Sequence, residues 1–215
     1  MGAAAGRLWA LGIGMVSGVC MKFLRLAGAA AMSVMVTACA YDRTPDPVLS
    51  ARDAEFMALI PNKNPDKLFA RYMVDNPTGE PAGTIVVETR QKLLYFTMPN
   101  GKAMRYGVAL GREGYGWTGE AIIDRKAEWP DWNPPAEMVA RWPHVKPTKG
   151  GWTNPLGARA LYLQQDGKDT LFRIHGTNEP EKIGRSVSSG CIRRLNIDII
   201  DLYNRAPIGT RVIVR

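Results

Sequence analysis

The sequence is poor in cysteine and histidine, the residues that most often hold a structural zinc ion. Its 215 residues include three cysteines and two histidines. Beyond Cys39 a single cysteine, Cys191, remains. Together with His144 and His175 it falls short of the four ligands of a structural zinc site and lacks their usual spacing. We therefore expect no metal and no other cofactor. Internal repeats are not evident either, and the length fits one domain with leader and linker sequence.

Runs of basic residues are absent as well. Lys and Arg number 28 against 20 Asp and Glu, which gives a formal net charge of +8. This excess is spread along the chain, whereas nucleic-acid-binding domains gather Lys and Arg on one face or along one helix. We interpret it as a solvated basic surface and expect no nucleic-acid partner. Attraction to an anionic polymer of the cell envelope is the alternative.

The beginning of the chain lacks acidic side chains, since none precedes Asp42. From Met21 onward, two basic residues are followed by an apolar run over residues 26–36 and by small residues up to Cys39. This order is the layout of a secretory signal, and the apolar run is too short and too rich in alanine to favour a membrane span. The sequence therefore predicts export, with residues 1–39 as the signal.

The end of this signal, Val36-Thr-Ala-Cys39, resembles the lipoprotein box of bacteria, in which the cysteine is lipidated and becomes the first residue after cleavage. We expect lipidation of Cys39, and an ordinary cleavage site is the alternative. Met21 is the more natural start, whereas translation from Met1 would give a longer, uncleaved anchor. In each case we expect the mature domain in the cell envelope, in the periplasm, and bound to the membrane only through its lipid or its signal.

The rest of the chain divides near residue 70. Residues 40–70 are rich in proline and predict a tether, whereas residues 71–215 alternate between strand-like runs and turns. The sequence therefore predicts a mostly β domain with short helices. The predicted strands are 84–88, 92–98, 104–110, 121–124, 160–164, 170–174 and 211–215.

Three local patterns refine this prediction. Asn100-Gly101 between two strand-like runs predicts a β-hairpin, because both residues tolerate positive φ. The tryptophans and prolines between residues 129 and 143 deny regular structure and predict a loop or lid over the site. Asn196 is predicted to cap a short helix that continues through Tyr203.

Cys191 is the strongest candidate for a reactive residue. Cysteines of exported proteins are normally paired, and this one has no partner beyond the signal. A buried core cysteine is the alternative on burial statistics alone. However, Cys191 ends a turn of small residues that begins at Ser188. Backbone N–H groups of such a turn, at Ser189 and Gly190, can stabilise a thiolate and later an oxyanion.

His175 is the candidate base. A free thiol is only a few per cent ionised at neutral pH, so a nearby imidazole matters. His175 ends a predicted strand and is followed by Gly176, whereas His144 lies in the proline-rich stretch with no glycine turn beside it. A structural histidine is the alternative interpretation. If Cys191 is a nucleophile, His175 is the better partner.

No acidic residue is clearly placed as a third member of this site, so we expect a backbone carbonyl near Gly176 to hold the second ring nitrogen. Arg193 lies two residues beyond the cysteine. Its guanidinium suits the geometry of a substrate carboxylate, and a surface arginine is the equal alternative. The acidic residues nearest in sequence are interpreted as solvated loop charges: Asp166, Asp169, Glu179 and Glu181.

These residues resemble the signature of the L,D-transpeptidase (YkuD) family, in which His175-Gly-Thr is followed by Ser189-Gly-Cys191-Ile-Arg193. The resemblance covers about residues 71–215. Flanking segments are also similar to the family: Gly83-Thr-Ile-Val-Val87, Tyr106-Gly-Val-Ala-Leu-Gly111, Trp132-Asn-Pro-Pro135, Asn154-Pro-Leu-Gly-Ala-Arg-Ala-Leu161, Asp201-Leu-Tyr203 and Gly209-Thr-Arg-Val212.

The resemblance implies a β-sandwich-like catalytic domain with Cys191 as nucleophile, His175 as acid and base, and the carbonyl of Gly176 orienting the imidazole. Family members attack the peptide bond after the third residue of a peptidoglycan stem tetrapeptide and release D-Ala. They then pass the acyl group to an amine on a second stem peptide, a protein or a D-amino acid. Many members carry His at the position of Ser189, which implies different hydrogen bonding there.

Three functions stay open at this point. The first is a transpeptidase that forms 3-3 cross-links or attaches an envelope protein, for example one of the outer membrane, to peptidoglycan. The second uses the same thioester but gives the acyl group to water, as a carboxypeptidase or an enzyme that releases wall-linked protein. The third is a lipoprotein that only binds the wall, and the presence of both His175 and Cys191 argues against it.

Overall fold

The structure is a computed structural model that describes residues 44–61, 66–112, 116–188 and 190–215. The predicted signal with Cys39, the first residues of the predicted tether, and Ser189 lie outside the described residues. Within the described ranges, no helix is both long and apolar enough to cross a membrane.

Strands dominate the described chain, and this confirms the mostly β fold class. Single 3₁₀ turns lie at Lys67–Phe69 and Pro180–Lys182. The α-helices are α1 (Ala51–Ala58), α2 (Ala136–Arg141) and α3 (Asn196–Arg205). The strands are β1 (Tyr72–Asp75), β2 (Ile85–Glu88), β3 (Leu93–Met98), β4 (Lys102–Gly107), β5 (Leu110–Gly111), β6 (Gly119–Glu128), β7 (Arg159–Gln165), β8 (Lys168–His175), β9 (Ser186–Ser188), β10 (Ile192–Arg193) and β11 (Arg211–Val214).

The strands form a nine-stranded mixed sheet and a separate two-stranded sheet. The order in the large sheet is β1-β4-β3-β2-β11-β6-β7-β8-β10, and β5 pairs with β9 in the small one. The last strand, β11, lies between β2, to which it is parallel, and β6, to which it is antiparallel. The short strand β10 closes one edge and runs parallel to β8. This edge carries the candidate site.

The turn between β3 and β4 has the geometry that its sequence predicts. Asn100 has φ 60° and Gly101 has φ 66°, in the left-handed region that these two residue types tolerate best. The flanking residues Met98 and Lys102 are paired across the two strands. The predicted hairpin is therefore confirmed.

Helix α3 packs on the sheet through its apolar face. Ile199, Ile200 and Leu202 are buried in the hydrophobic core together with residues of β7 and β8. The predicted helix is present, but no side chain caps its first turn, and Asn196 lies inside the helix as its first residue. The prediction that Asn196 is the cap is wrong, because its amide instead binds buried backbone groups of other segments.

The segment rich in tryptophan and proline is less irregular than predicted. Helix α2 forms within it and begins directly after Pro135, a position where the missing N–H of a proline costs little. Backbone hydrogen bonds of 2.8 and 2.9 Å join Trp132 and Thr148, one in each direction. These bonds hold the two ends of residues 132–148 together.

The segment before β1, predicted as a tether, is folded onto the domain from its first described residues. Helix α1 begins with a capping box in which Ser50 and Asp53 bind each other's backbone N–H groups. Asp53 is 2% exposed and forms two 2.8 Å hydrogen bonds with the guanidinium of Arg159. Trp129 Nε1 donates to the same carboxylate at 2.8 Å. A proline-rich composition does not reveal an ion partner so distant in sequence.

A second arginine holds the chain that leads into this helix. The buried guanidinium of Arg71 donates to Thr44 Oγ1 at 3.1 Å, to the carbonyl of Pro45 at 3.0 Å and to Asp46 Oδ1 at 2.7 Å. These contacts and the Asp53–Arg159 pair fix residues 44–58 against the sheet at two separate points.

We expect Asp53→Ala to lower the free energy of unfolding by about 3–5 kcal/mol, because it removes both short hydrogen bonds of the buried Arg159 guanidinium and leaves it only the half-exposed carboxylate of Glu128 at 3.8 Å. Burial raises the pKa of Asp53, but hydrogen bonds from Arg159, Ser50 and Trp129 hold it well below its ordinary value. The loss should therefore persist above pH about 4 and diminish only in stronger acid. Denaturant unfolding measures it.

Asp75→Ala is the matched control, because Asp75 pairs with Lys102 but its side chain is 90% exposed. Its loss should stay below about 1 kcal/mol. Equal losses in the two variants would contradict a structural role for the buried pair.

Candidate active site

Two neighbouring parallel strands carry the candidate nucleophile and base. In the register of β8 and β10, Ile192 lies beside Ile174, and Arg193 lies beside His175. The two isoleucines are buried in the core. Because side chains alternate along a strand, Arg193 and His175 point to the opposite face. Cys191 directly precedes β10, so it lies at the start of the strand that runs beside the end of β8, where His175 lies.

The imidazole of His175 is held by the residue that follows it. Its Nδ1 lies 2.7 Å from the carbonyl oxygen of Gly176, which is the contact expected from the sequence. A carbonyl oxygen can only accept, so this contact requires the proton on Nδ1, and in that tautomer the lone pair is on Nε2. Burial, and next the charge of Arg193, lower the pKa of His175 to about 3, although hydrogen bonds of the ring to the backbone of Gly176 and of Leu156 oppose this shift. The resting imidazole is therefore neutral and suited to accept a proton.

Cys191 is a free, half-buried cysteine. Its Sγ lies 4.0 Å from the carbonyl oxygen of Leu171, a contact within reach of a weak S–H donor. Burial raises the pKa of the Cys191 thiol, although a hydrogen bond from the backbone of Arg173 and that residue's charge act against this. The resting site thus pairs a neutral thiol with a neutral imidazole rather than a thiolate with an imidazolium.

The turn before Cys191 is closed by a serine that sequence analysis did not single out. Ser188 Oγ donates to the carbonyl of Cys191 at 2.6 Å and accepts from the N–H of Gly190 at 3.3 Å. Gly190 has φ 127°, a conformation that side chains rarely adopt. The amide of Gly190, expected to face the sulfur, is thus engaged within the turn. A Ser-x-Gly pattern, which favours local side-chain to backbone bonds, was the available signal.

Arg193 is already paired in this site. Its Nη1 lies 2.9 Å from Glu179 Oε2, and Lys182 contacts the other oxygen of the same carboxylate. Burial raises the pKa of Glu179, but the hydrogen bond and charge of Lys182 and the charge of Arg193 bring it below its ordinary value. The interpretation of Glu179 as a solvated loop charge is therefore wrong.

A second arginine, Arg173, flanks the cysteine and was also missed. It belongs to β8, and both of its Nη atoms lie 2.9 Å from the carboxylate of Asp169. Its guanidinium lies 4.8 Å from the ring centre of Tyr162, and Arg125 lies over the same ring at 3.5 Å. Residues four apart on a regular strand lie roughly 13 Å from each other, so the spacing of Asp169 and Arg173 did not indicate this pair. His144, the other histidine, is exposed in the loop after α2.

Comparison with known proteins identifies the family. The family model of the L,D-transpeptidase catalytic domain, YkuD, matches residues 82–214, which is more than half of the chain. The chain belongs to the YkuD family of L,D-transpeptidases.

Individual relatives match parts of the chain. It is 44% identical over 94 residues to a protein of Fuscovulum blasticum named as an L,D-transpeptidase of the ATP synthase subunits region, covering 44% of this chain and 48% of the relative. It is 33% identical over 141 residues to probable L,D-transpeptidase YbiS of Escherichia coli K12, covering 60% and 43%. The chain thus spans about half the length of these curated relatives. A crystal structure from Brucella melitensis, described as a probable carnitine operon oxidoreductase, is 44% identical over 68% of this chain and 94% of that chain, with a TM-score of 0.48.

The protonation state of the resting site leads to a prediction on thiol reactivity. We expect the rate of Cys191 alkylation by iodoacetamide to keep rising above pH about 8.5, the ordinary pKa of a cysteine, because burial disfavours the thiolate. Mass spectrometry of quenched samples gives the rate, and the Cys191→Ala protein reports the background from other cysteines. A plateau between pH about 5 and 7 would instead indicate a preformed ion pair with His175.

Proposed function

We propose that this protein is a cell-wall L,D-transpeptidase that acts on peptidoglycan stem tetrapeptides through a thioester on Cys191. The observation that carries the proposal is the parallel pairing of β8 with β10, which brings the strand that Cys191 directly precedes beside His175. Membership of the YkuD family supports the same chemistry.

The first half of the proposed reaction forms the acyl-enzyme. The sulfur of Cys191 attacks the carbonyl carbon of the peptide bond after the third stem residue, and the thiol proton passes to Nε2 of His175. The C–N bond then breaks, and the imidazolium returns this proton to the departing amine of D-Ala. A thioester on Cys191 and a neutral imidazole remain.

The second half transfers the acyl group. An acceptor amine attacks the thioester carbonyl while His175 takes one proton from the attacking nitrogen. The C–S bond breaks, and the same proton restores the thiol of Cys191. The acceptor is the amine of a second stem peptide, of an envelope protein or of a D-amino acid, and water in its place gives hydrolysis. Analysis of the stem peptides after gene deletion distinguishes these outcomes. Loss of 3-3 cross-links indicates a stem-peptide acceptor, loss of protein-linked peptides indicates a protein acceptor, and an excess of protein-linked peptides indicates hydrolysis.

Two glycines support this chemistry in the proposal. Gly176 offers the carbonyl oxygen that fixes the imidazole, at 2.7 Å from Nδ1. Gly190 provides the φ of 127° that the turn before the nucleophile requires. Ser189, also expected to support the site, lies outside the described residues. We further propose that the protein is exported to the periplasm and anchored by a lipid on Cys39.

The assignment of the two central residues is tested by single and double variants. We expect Cys191→Ser to nearly abolish release of D-Ala from a tetrapeptide, because the hydroxyl is a far weaker nucleophile without a base tuned for it. His175→Ala should lower the rate of D-Ala release about 10²–10⁴-fold, which is the usual contribution of general acid–base catalysis. The double variant should release D-Ala no more slowly than Cys191→Ser. The two residues act in the same step, so the effects of losing each are not additive.

His144→Ala is the control for the histidine variant, because His144 is exposed in the loop after α2. It should release D-Ala at the wild-type rate. Turnover that survives in Cys191→Ser, or an equal loss in the two histidine variants, would refute the assignment.

Arg193 is proposed to bind a carboxylate of the donor, in exchange for its resting contact with Glu179. The exchange is feasible because the side chain of Glu179 is 36% exposed and that of Arg193 is 19% exposed. Glu179→Gln removes the competing charge and should lower the KM for the tetrapeptide. The change should be at most about fivefold, because a partly exposed ion pair contributes no more than about 1 kcal/mol. Arg193→Ala should raise KM and leave alkylation by a small neutral reagent nearly unchanged.

Glu181→Gln is the matched control for Glu179→Gln, because Glu181 lies in the same turn and is exposed. Its KM should equal that of the wild type. Equal losses of donor use and alkylation in Arg193→Ala would show that Arg193 is structural rather than substrate-binding.

A further inference from the structure

The peptide group between Gly176 and Thr177 is held at both of its ends. Its carbonyl oxygen, which belongs to Gly176, lies 2.7 Å from Nδ1 of His175. Its N–H, which belongs to Thr177, donates to Oδ1 of Asn196 at 3.1 Å. One planar amide therefore joins the imidazole to the side chain of Asn196, because the two ends of a peptide group cannot turn independently.

Asn196 is itself fixed by further bonds to the backbone. Its Oδ1 also accepts from the N–H of Ala158 at 3.0 Å, and its Nδ2 donates to the carbonyl of Thr177 at 2.9 Å. The residue is 7% exposed. The amide thus connects the start of β7 with the loop after His175, and little freedom is left to it.

Two glycines make room for this amide. A Cβ at Gly157 would lie 2.2 Å from Oδ1 of Asn196, and a Cβ at Gly176 would lie 2.1 Å from the same atom. Both distances are far below van der Waals contact, so any side chain at either position would displace the amide. The backbone on both sides is therefore adapted to the close approach of Asn196.

We propose that Asn196 is a positioning residue that keeps the proton of the His175 imidazole on Nδ1. By holding the N–H of Thr177, its Oδ1 orients the carbonyl of Gly176 toward the ring. That carbonyl then holds the proton on Nδ1, and Nε2 keeps the lone pair that would receive the proton of Cys191. The catalytic consequence rests on the proposed function, whereas the position of the proton does not.

The physical basis is the coupling between the two ends of one amide. Donation from the N–H of Thr177 polarises the peptide group and makes its carbonyl a stronger acceptor. Without Oδ1 of Asn196, the buried N–H groups of Thr177 and Ala158 lose their acceptor, a cost that favours rotation of the peptide. A carbonyl that turns away leaves Nδ1 unpaired, and the imidazole can then place its proton on Nε2, which abolishes the base.

Nitrogen-15 NMR of the imidazole tests this directly, since its shifts distinguish a proton on Nδ1 from one on Nε2. The protein has two histidines, so a His144→Gln background leaves the signals of His175 alone. In this background we expect the proton on Nδ1. A proton on Nε2 in the otherwise unchanged protein would overturn the proposal before any change at Asn196.

Variants at Asn196 then separate positioning from folding. Asn196→Ala should give a mixture of tautomers and slow acylation by a tetrapeptide about 10- to 100-fold, part of the 10²–10⁴ that general acid–base catalysis supplies. Asn196→Asp keeps an acceptor oxygen for the N–H groups of Thr177 and Ala158 and loses only the donation to the carbonyl of Thr177, so it should keep the proton on Nδ1. If the aspartate variant loses that proton position like the alanine variant, or if the alanine variant keeps it, the proposal is wrong.

Asn76→Ala is the matched control. Asn76 also binds backbone groups through its amide, to Glu80 and Thr78, but it follows β1, at the opposite edge of the large sheet from β10. It should reduce stability without changing the tautomer of His175. The NMR result does not depend on turnover, so a failure of the transpeptidase assignment and a failure of this proposal are distinguishable.

Discussion

The hydrogen bond between Nδ1 of His175 and the carbonyl of Gly176 is the contact on which the rest of the site depends. A buried imidazole without a fixed acceptor can hold its proton on either nitrogen, and only a proton on Nδ1 leaves Nε2 able to act as the base of the proposed reaction. A backbone carbonyl does here what a carboxylate does in other triads. It brings no charge, so the imidazole stays neutral at rest. The peptide group between Gly176 and Thr177 is held by Asn196 at the start of α3, which also binds the N–H of Ala158 just before β7.

The electrostatics of the site follow from the same arrangement. The charges of Arg173 and Arg193 both act on Cys191 and His175, and each arginine is paired with a carboxylate, of Asp169 and Glu179 respectively. Burial disfavours both the imidazolium and the thiolate, whereas the positive charges of Arg173 and Arg193 disfavour the imidazolium further and only partly offset the cost of the thiolate. A separated ion pair is thus not the resting state, and we infer that the proton moves as the sulfur attacks. The arginines would then stabilise the negative charge that develops on the substrate.

The sequence was sufficient for features that depend on neighbouring residues. The hairpin at Asn100 follows from backbone preferences, and the contact of His175 with Gly176 lies within one dipeptide. Features built from distant residues were not predictable. The ion pair of Asp53 with Arg159 joins residues 106 positions apart, and no local pattern links them. At Asn196 a local preference and distant contacts oppose each other. Its preference for a helix cap is overridden because buried backbone donors of other segments bind its side chain.

The central claim is that Cys191 carries the acyl group, and peptide mapping of a trapped intermediate tests it most directly. The protein is mixed with a synthetic stem tetrapeptide, quenched in acid after a few seconds and digested. The account predicts that the peptide containing Cys191 gains the mass of the donor without its terminal D-Ala, with one D-Ala released for each acylated protein. Release of D-Ala without an acyl group on Cys191, or an acyl group on another residue, would contradict it.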